Sequence, residues 1–293
     1  MTRRGRWVVW GVISVGALLT LFVWVAGRSG GGGGFSGVGP FRKVGLVEIE
    51  GPIRSSSSVV RQLKHYGRDR SIPALVIRVN SPGGEVGATQ EIYAEILRLR
   101  QEGKRVVASL GSVAASGGYY VAVAADTIVA NPGTLTGSIG VVLELFNFEG
   151  LLHRLGLNFY VIKSGKYKDV GSPLRPMLPE EREMLQGVTD DTFEQFVEAV
   201  AAGRRLSREA VLKLADGRIF TGRQAKAQGL VDLLGNYEDA VATAGEMSGL
   251  GRRPDTVKEG GPGRWEALLK RLDSELSSFF IQRISARYSI QGF

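Results

Sequence analysis

The stretch ALVIRVNSPGG, residues 74–84, decides the fold class. Its first six residues are apolar apart from one arginine, which predicts a buried strand over Ala74–Val79. The turn-forming residues Asn80–Gly84 follow, and an amphipathic helical pattern then runs over Glu85–Arg100. A strand, a tight turn and a helix in this order predict one βα unit of a parallel sheet.

The same alternation of short strands and helices extends over the chain from Val44 onward. The predicted strands are Val44–Ile49, Ala74–Val79, Arg105–Leu110, Thr127–Ala130 and Phe159–Ile162. The predicted helices are Val59–Tyr66, Glu85–Arg100, Pro179–Ala202, Ser207–Ala215 and Thr221–Gln228. We therefore predict an α/β domain of stacked βα units with a largely parallel sheet covered by helices.

A second glycine-containing turn, GSVAASGGYY at Gly111–Tyr120, follows the strand Arg105–Leu110. Ligands commonly bind beyond the carboxyl ends of parallel strands, so both turns are candidate sites. Ser116 stands among alanines and glycines before an apolar helical segment, Ser116–Ala125, whose N-terminal N–H groups would face an oxyanion. The alternatives stay open at this point: a plain tight turn at Asn80–Gly84, and close helix packing around Ser116.

A serine hydroxyl needs a base to become a nucleophile. The two histidines of the chain, His65 and His153, lie in segments with a helical pattern, so little supports a Ser-His-Asp triad. A neutral lysine is the other available base, and its ordinary pKa of about 10.4 would have to fall by about three units through burial. The run KSGKYKDVGSP, residues 163–173, offers Lys163, Lys166 and Lys168, and the residues alone do not choose among them.

The composition excludes several kinds of site. The 293 residues include no cysteine, which rules out a thiol nucleophile, a cysteine zinc site and a disulfide. Neither an HExxH pair nor a phosphate-binding loop motif occurs. The net charge is +8, but the basic residues are scattered and form no nucleic-acid motif. We therefore expect a basic surface near anionic lipid and no nucleic-acid partner.

An uncharged, mainly apolar run covers Trp7–Ala26 and follows Arg3, Arg4 and Arg6. At about 1.5 Å per residue, such a helix spans a hydrocarbon core of about 30 Å. The arginines predict a cytoplasmic N-terminus, with everything after the run outside the cytoplasm. A cleaved signal peptide is the alternative, although its apolar core is usually only about 7–15 residues long. We expect a single-pass anchor in the cell membrane.

These patterns divide the chain into five segments. Residues 1–27 are the predicted cytoplasmic tip and transmembrane anchor, residues 28–40 a glycine-rich linker, residues 41–248 the folded domain, residues 249–264 a second linker and residues 265–293 an amphipathic helix. The C-terminal helix is predicted from apolar residues at helical spacing. We expect it to pack on protein, with the membrane surface as the alternative.

Five motifs in register resemble the signal peptide peptidase A family, which contains Ser-Lys serine peptidases related in fold to the Clp protease and crotonase. The motifs are VNSPGG at 79–84, AASGGYY at 114–120, TGSIGV at 136–141, SGKYKD at 164–169 and DGRIFTGRQAKAQGLVD at 216–232. Each motif alone is weak evidence for this family, but five motifs in the same order are specific to it. The match runs from Val44 to about Ala242, with one copy of each motif, as in the short members of the family.

The resemblance assigns roles residue by residue. It implies that Ser116 is the nucleophile and that Lys168 is the general base. Ser138 corresponds to the hydroxyl that orients the lysine amine, and the backbone N–H groups of Gly83 and Gly117 would form the oxyanion hole. The reaction would pass through an acyl-enzyme on Ser116 and would need no metal or other cofactor.

The resemblance also implies a membrane-bound, ring-shaped homo-oligomer in which the dyad forms between neighbouring subunits. Its substrates would be apolar peptides, such as remnant signal peptides and unfolded or membrane-derived segments. Two other interpretations stay open. The first is a crotonase-type acyl-CoA enzyme, which the predicted anchor disfavours. The second is a catalytically inactive membrane scaffold of the same fold, which the presence of both Ser116 and Lys168 disfavours.

Overall fold

The structure, a computed structural model, describes residues 42–258. The predicted anchor, the glycine-rich linker and the C-terminal amphipathic helix lie outside these residues. Within residues 42–258, no helix has both the length and the apolar character needed to cross a membrane.

The described strands form one mostly parallel sheet. Its order is β6-β5-β3-β2-β1-β8, with β4 paired to β3 and β7 paired to β4, and only the β5–β6 pair is antiparallel. The strands are β1 (Val44–Glu50), β2 (Ala74–Ser81), β3 (Arg105–Ala115), β4 (Thr127–Ala130), β5 (Leu135–Gly137), β6 (Ile219–Thr221), β7 (Leu233–Leu234) and β8 (Thr256–Lys258). The α/β class with a largely parallel sheet is confirmed, and the architecture is consistent with a Clp protease-like fold.

Helices lie on both faces of the sheet. They are α1 (Ser57–Arg68), α2 (Val86–Gln101), α3 (Gly117–Ala122), α4 (Glu149–Arg154), α5 (Pro179–Arg204), α6 (Arg208–Leu212), α7 (Gly222–Ala227) and α8 (Tyr237–Met247). In β2, Leu75 and Ile77 belong to the core shared with α1 and α2, whereas Ala74 and Val76 pack with α8. The strand is therefore buried on both faces, which explains its continuous apolar run.

The predicted elements from β1 to α3 are confirmed, with shifts at several ends and the largest extension in β3. The strand predicted over Arg105–Leu110 continues to Ala115, because Val113–Ala115 pair with β5 rather than forming a turn. The segment predicted to be helical only if buried, Ser116–Ala125, contains α3, and all six residues of α3 are buried. The turn before the candidate nucleophile is consequently shorter and sharper than the sequence suggested.

Two predictions outside this region differ from the structure. Phe159–Ile162 was predicted as a strand and is not one: its four side chains are exposed and no described strand pairs with it, so its backbone groups lack ladder partners. Thr256–Lys258, within the predicted second linker, forms β8 and pairs in parallel with the start of β1. A strand of three residues is too short to produce a recognisable alternation.

Candidate active site

The carboxyl ends of β2 and β3 meet at one edge of the sheet. The two strands are parallel neighbours, and Ser81 of β2 is paired with Ala114 of β3. The turn Asn80–Gly84 therefore lies beside the end of β3, and Ser116 follows that end directly. The fold thus brings together the two glycine-containing turns that the sequence marked as candidate sites.

Ser116 forms a sharp turn between β3 and α3. Its φ of 52° and ψ of −122° lie outside the regions that residues with a side chain usually adopt. Its N–H donates to the Gly137 carbonyl at 2.9 Å, and its own carbonyl accepts from the Tyr120 N–H at 2.9 Å. The residue is partly exposed, while α3 behind it is buried. The turn therefore holds Ser116 at the surface of a rigid core.

Glycine is required where the two turns touch. A Cβ on Gly83, whose φ is +106°, would lie 2.7 Å from the Gly117 nitrogen and 2.9 Å from the Ser116 Cβ. A Cβ on Gly117 would lie 2.8 Å from Thr89 Oγ1. Contacts this short are closer than van der Waals separation, so a side chain at either position would push the two turns apart.

The backbone N–H groups around Ser116 differ in their hydrogen bonds. The N–H of Gly83 donates to Ser81 Oγ at 3.1 Å. The N–H groups of Gly84 and Gly117 have no acceptor within residues 42–258, and the Gly84 nitrogen would be 3.2 Å from a Cβ on Gly117. Gly84 and Gly117 therefore offer unpaired donors beside Ser116. The NSPGG turn signalled such a donor, but not which of its two glycines keeps a free N–H.

A pocket opens beside Ser116. Its walls come from α2, α3, α5 and the residues that follow Ile139. The residues lining the pocket are Gly84, Val86, Thr89, Gln90, Ser116, Gly117, Tyr120, Gly140, Val141, Val142, Thr192 and Phe196. The rings of Tyr120 and Phe196 pack with their centroids 4.9 Å apart. The walls combine apolar surface with a few polar groups, which suits an apolar side chain attached to a polar backbone.

Ser138 lies beside Ser116. Ala115 of β3 is paired with Gly137 of β5, and each serine is the residue that follows one member of that pair. Ser138 also has a positive φ, 49°, and its N–H donates to the Arg218 carbonyl at 2.9 Å. The fold therefore places two partly buried serines at the ends of neighbouring parallel strands.

Lys168 lies outside the pocket. It belongs to a turn in the long segment between β5 and α5, is exposed, and does not line the pocket that contains Ser116. Its N–H donates to the Gly165 carbonyl at 3.2 Å. Its ammonium group has no hydrogen bond or ion pair within residues 42–258. A single chain therefore brings Ser116, Gly117 and Ser138 together and does not place Lys168 in the lining of the Ser116 pocket.

The two neighbouring lysines are engaged in ion pairs. Lys163 binds the Asp169 carboxylate and the Lys166 carbonyl, and Lys166 binds Glu180 at 2.7 Å. Lys166 also lies over the Tyr167 ring, 5.2 Å from its centroid. Of the three lysines that the sequence could not separate, Lys168 is the one without a carboxylate partner in the described part of the chain.

The histidines do not line the pocket. His65 lies in α1 with its ring 5.8 Å from that of Tyr66, and His153 lies in α4. The His153 side chain is largely exposed and 3.9 Å from Glu149. Neither histidine contributes to the pocket beside Ser116, which agrees with the weak sequence support for a Ser-His-Asp triad.

Comparison with known proteins identifies the family. The profile of peptidase family S49 matches residues 98–251. A putative protease of Synechocystis is 48% identical over 219 residues, which are 74% of this chain and 78% of that protein. Protease 4 of Salmonella typhi is 40% identical over 189 residues, 64% of this chain and 30% of that protein.

A third relative carries the name that the sequence motifs suggested. The putative signal peptide peptidase SppA of Enterococcus faecium is 39% identical over 180 residues, 61% of this chain and 52% of that protein. This chain thus spans about half the length of that relative and less than a third of the Salmonella protein. On the family profile and these identities, the chain is a peptidase that belongs to family S49, the signal peptide peptidase A family.

Proposed function

We propose that this peptidase is a membrane-anchored serine endopeptidase with a Ser-Lys dyad, in which Ser116 is the nucleophile and Lys168 the general base. The observation that carries the proposal is the Ser116 turn. It holds a serine in an unusual backbone conformation at the rim of a pocket, beside the unpaired N–H groups of Gly84 and Gly117. A nucleophile next to preorganised N–H donors is the arrangement that acyl transfer requires.

The chemistry proceeds in two halves. The Ser116 oxygen attacks the carbonyl carbon of the substrate while its proton passes to the neutral Lys168 amine. The developing oxyanion accepts hydrogen bonds from backbone N–H groups of the two glycine turns. The C–N bond then breaks as the Lys168 ammonium returns the proton to the leaving nitrogen. Water, deprotonated by the same amine, then attacks the acyl carbon of the acyl-enzyme. The ester C–O bond breaks, and the Lys168 ammonium returns the proton to the Ser116 oxygen.

The oxyanion hole is proposed on the N–H of Gly117 together with a glycine of the NSPGG turn. The family resemblance pointed to Gly83, whose N–H is engaged by Ser81 Oγ. Gly84 lines the pocket with an unpaired N–H, so its geometry favours it as the second donor. Ser138, one strand further along, remains the proposed hydroxyl that orients the lysine amine.

We propose that Lys168 reaches Ser116 from a neighbouring copy within a ring-shaped homo-oligomer. Two observations support this. Lys168 does not line the pocket of its own chain. The segment that carries it, residues 141–178, contains no fully buried residue and exposes many apolar side chains. They include Val142, Phe146, Phe148, Leu155, Leu157, Phe159, Tyr160 and Ile162. Exposed apolar surface of this extent is typical of an interface with another protein.

The substrates are proposed to be apolar peptides such as remnant signal peptides. Support comes from the pocket, where Val86, Val141, Val142 and Phe196 offer apolar contacts next to Ser116. The predicted membrane anchor over residues 7–26 would place the domain where such peptides are produced, outside the cytoplasm. An apolar side chain bound in this pocket would bring its own carbonyl group to the nucleophile.

The proposal is tested with the full chain purified in detergent and a quenched apolar peptide, across pH. We expect Ser116→Ala and Lys168→Ala each to lower turnover by about 10⁴-fold or more, because members of a catalytic dyad act as a unit. Wild-type turnover should rise with pH, since the lysine must be neutral to act as a base. Turnover that survives in Lys168→Ala would refute the dyad, and labelling of Ser116 by an acylating probe would then report separately on the nucleophile.

A further inference from the structure

One arginine ties the Lys168 turn to α5. Asp169, which directly follows Lys168, accepts hydrogen bonds from Arg175 Nε at 2.8 Å and Nη2 at 3.0 Å. The same guanidinium binds Glu181, in the first turn of α5, with Nη1 at 2.8 Å from Oε2. We call Asp169, Arg175 and Glu181 the Arg175 bridge.

The α5 end of the bridge is buried. Glu181 is fully buried, and its Oε2 also accepts from the Leu178 N–H at 2.9 Å at the start of the helix. The hydrogen bonds from Arg175, with that from Leu178, lower the pKa of Glu181 to about 2. Arg175 itself is about three-quarters buried. The bridge therefore anchors an exposed turn to a fixed point in the folded domain.

The bridge also occupies the carboxylate nearest to Lys168 in sequence. Both oxygens of Asp169 are engaged, Oδ2 by Arg175 and Oδ1 by Arg175 and Lys163. These hydrogen bonds, led by that of Arg175, lower the pKa of Asp169. The ion pairs of this turn and the start of α5 join Lys163 and Arg175 to Asp169, Lys166 to Glu180, and Arg175 to Glu181. Each of these carboxylates is paired with a cation other than Lys168.

This pairing matters for a lysine that must act as a base. A carboxylate close to an amine favours its ammonium form, which holds no lone pair to accept a proton. Asp169 is adjacent to Lys168 in the chain and, without other partners, would be the first carboxylate available to it. Because Arg175 and Lys163 bind both of its oxygens, the Asp169 carboxylate is not available to pair with the Lys168 amine.

We propose that Arg175 is a positioning residue for Lys168, one that fixes the Lys168 turn to α5 and withholds the Asp169 carboxylate from the Lys168 amine. The inference rests on the proposed function, since it assumes that Lys168 is the base. It adds a second requirement to the dyad: the amine has to be delivered to Ser116, and it has to arrive without a carboxylate partner.

The test uses paired variants of the full chain, because Arg175→Gln alone would leave Glu181 buried without its cation. The first variant is Arg175→Gln with Glu181→Gln, and the second adds Asp169→Asn. The matched control is Arg208→Gln, which removes a two-point contact with Glu194 on α5. Turnover of the quenched peptide is measured from acid to alkaline pH, with kcat and KM determined separately.

The first variant should lower kcat with little change in KM. The acidic limb of its pH–kcat profile should also move to higher pH by about one unit, because a carboxylate newly available to Lys168 favours the ammonium form. Adding Asp169→Asn should return the limb to the wild-type position while kcat stays low. If the Arg175 bridge had only a structural role, its loss would lower kcat without moving the acidic limb of the pH–kcat profile, and that result would overturn the inference. If Lys168→Ala kept its turnover, the proposed function would fail instead, which separates the two outcomes.

Discussion

The two halves of the candidate site are built in opposite ways. Ser116 precedes a helix whose six residues are all buried, and its backbone is hydrogen-bonded to Gly137 on one side and Tyr120 on the other. Lys168 lies in residues 141–178, none of which is fully buried, and its turn is tied to α5 through Arg175. One half belongs to the core of the domain, and the other stands on its surface.

The difference shows what one chain can and cannot specify. A core fixes a serine by surrounding its backbone with packed atoms, and it does so for Ser116, the proposed nucleophile, without help. A lysine base needs an environment that removes it from water, and an exposed turn does not provide one. The proposed nucleophile is therefore positioned by the fold of one chain, whereas the proposed base depends on what covers residues 141–178.

The sharpest test of this comparison mixes two inactive variants. If the dyad forms between copies, Ser116→Ala and Lys168→Ala chains, dissociated and reassembled together, should recover about a quarter of the wild-type turnover. Each active site would then combine the intact serine of one chain with the intact lysine of another. Separate reassembly of either variant is the control. A mixture as inactive as its parts would mean that both groups come from one chain.

An added methyl group should destabilise the buried turns around Ser116 but not the exposed residues 141–178. Gly83→Ala places a Cβ 2.7 Å from the Gly117 nitrogen and strains a residue with φ of +106°. We expect it to lower the free energy of unfolding by about 2–4 kcal/mol and to remove most turnover. Gly150→Ala, in α4, is the matched control, since its Cβ would meet nothing within 4 Å. Thermal unfolding and peptide turnover of the two variants measure the contrast, and equal effects would contradict it.

A charge introduced in the exposed residues 141–178 should weaken the association of copies without changing the fold of the single chain. Ile162 is fully exposed in the single chain, so Ile162→Glu should leave the fold of the monomer unchanged. If a second copy covers this side chain, the variant should form assemblies of lower molecular mass in solution and should have roughly 30-fold lower turnover. Val188→Glu, at an exposed apolar position on α5, is the control. An Ile162→Glu protein with unchanged mass and activity would remove the support for an interface there.

The smallest expected effect concerns acid stability. The pKa of Glu181 is lowered to about 2 from an ordinary value of 4.5, chiefly by Arg175. Its contribution to stability is therefore present above about pH 4.5 and is lost as the pH falls toward 2. Between pH 6 and pH 3, the wild-type Tm should fall by a few degrees more than that of Arg175→Gln with Glu181→Gln. Parallel Tm curves for the two proteins would contradict the assignment.

The sequence predicted the buried half of the molecule well. The strand Ala74–Val79 and the turn after it were visible because a strand buried on both faces needs an unbroken apolar run, and a close approach of two turns needs glycine. The motif around Ser116 located the candidate nucleophile at the end of β3. These features are local, since each is encoded by residues adjacent in the chain.

The exposed half was harder to predict. Phe159–Ile162 has the β-branched and aromatic residues of a strand, yet it pairs with nothing in the described chain, because strand propensity does not create a partner. The three lysines of residues 163–168 could not be separated by spacing. The family resemblance singled out Lys168, and the structure separates it from Lys163 and Lys166 by their ion pairs with Asp169 and Glu180.

Strand β8 has a consequence for how the domain resists aggregation. Its residues Thr256–Lys258 are hydrogen-bonded along the start of β1, and Lys258 forms an ion pair with Glu48 of that strand. Without β8, the apolar strand β1 would become an open sheet edge, whose free N–H and C=O groups would be a template for another chain. Three residues and one charged side chain cover the first part of that edge, Val44–Leu46. A fragment of this domain that stopped before Thr256 would therefore be expected to self-associate through β1, even though no residue of the candidate site had been removed.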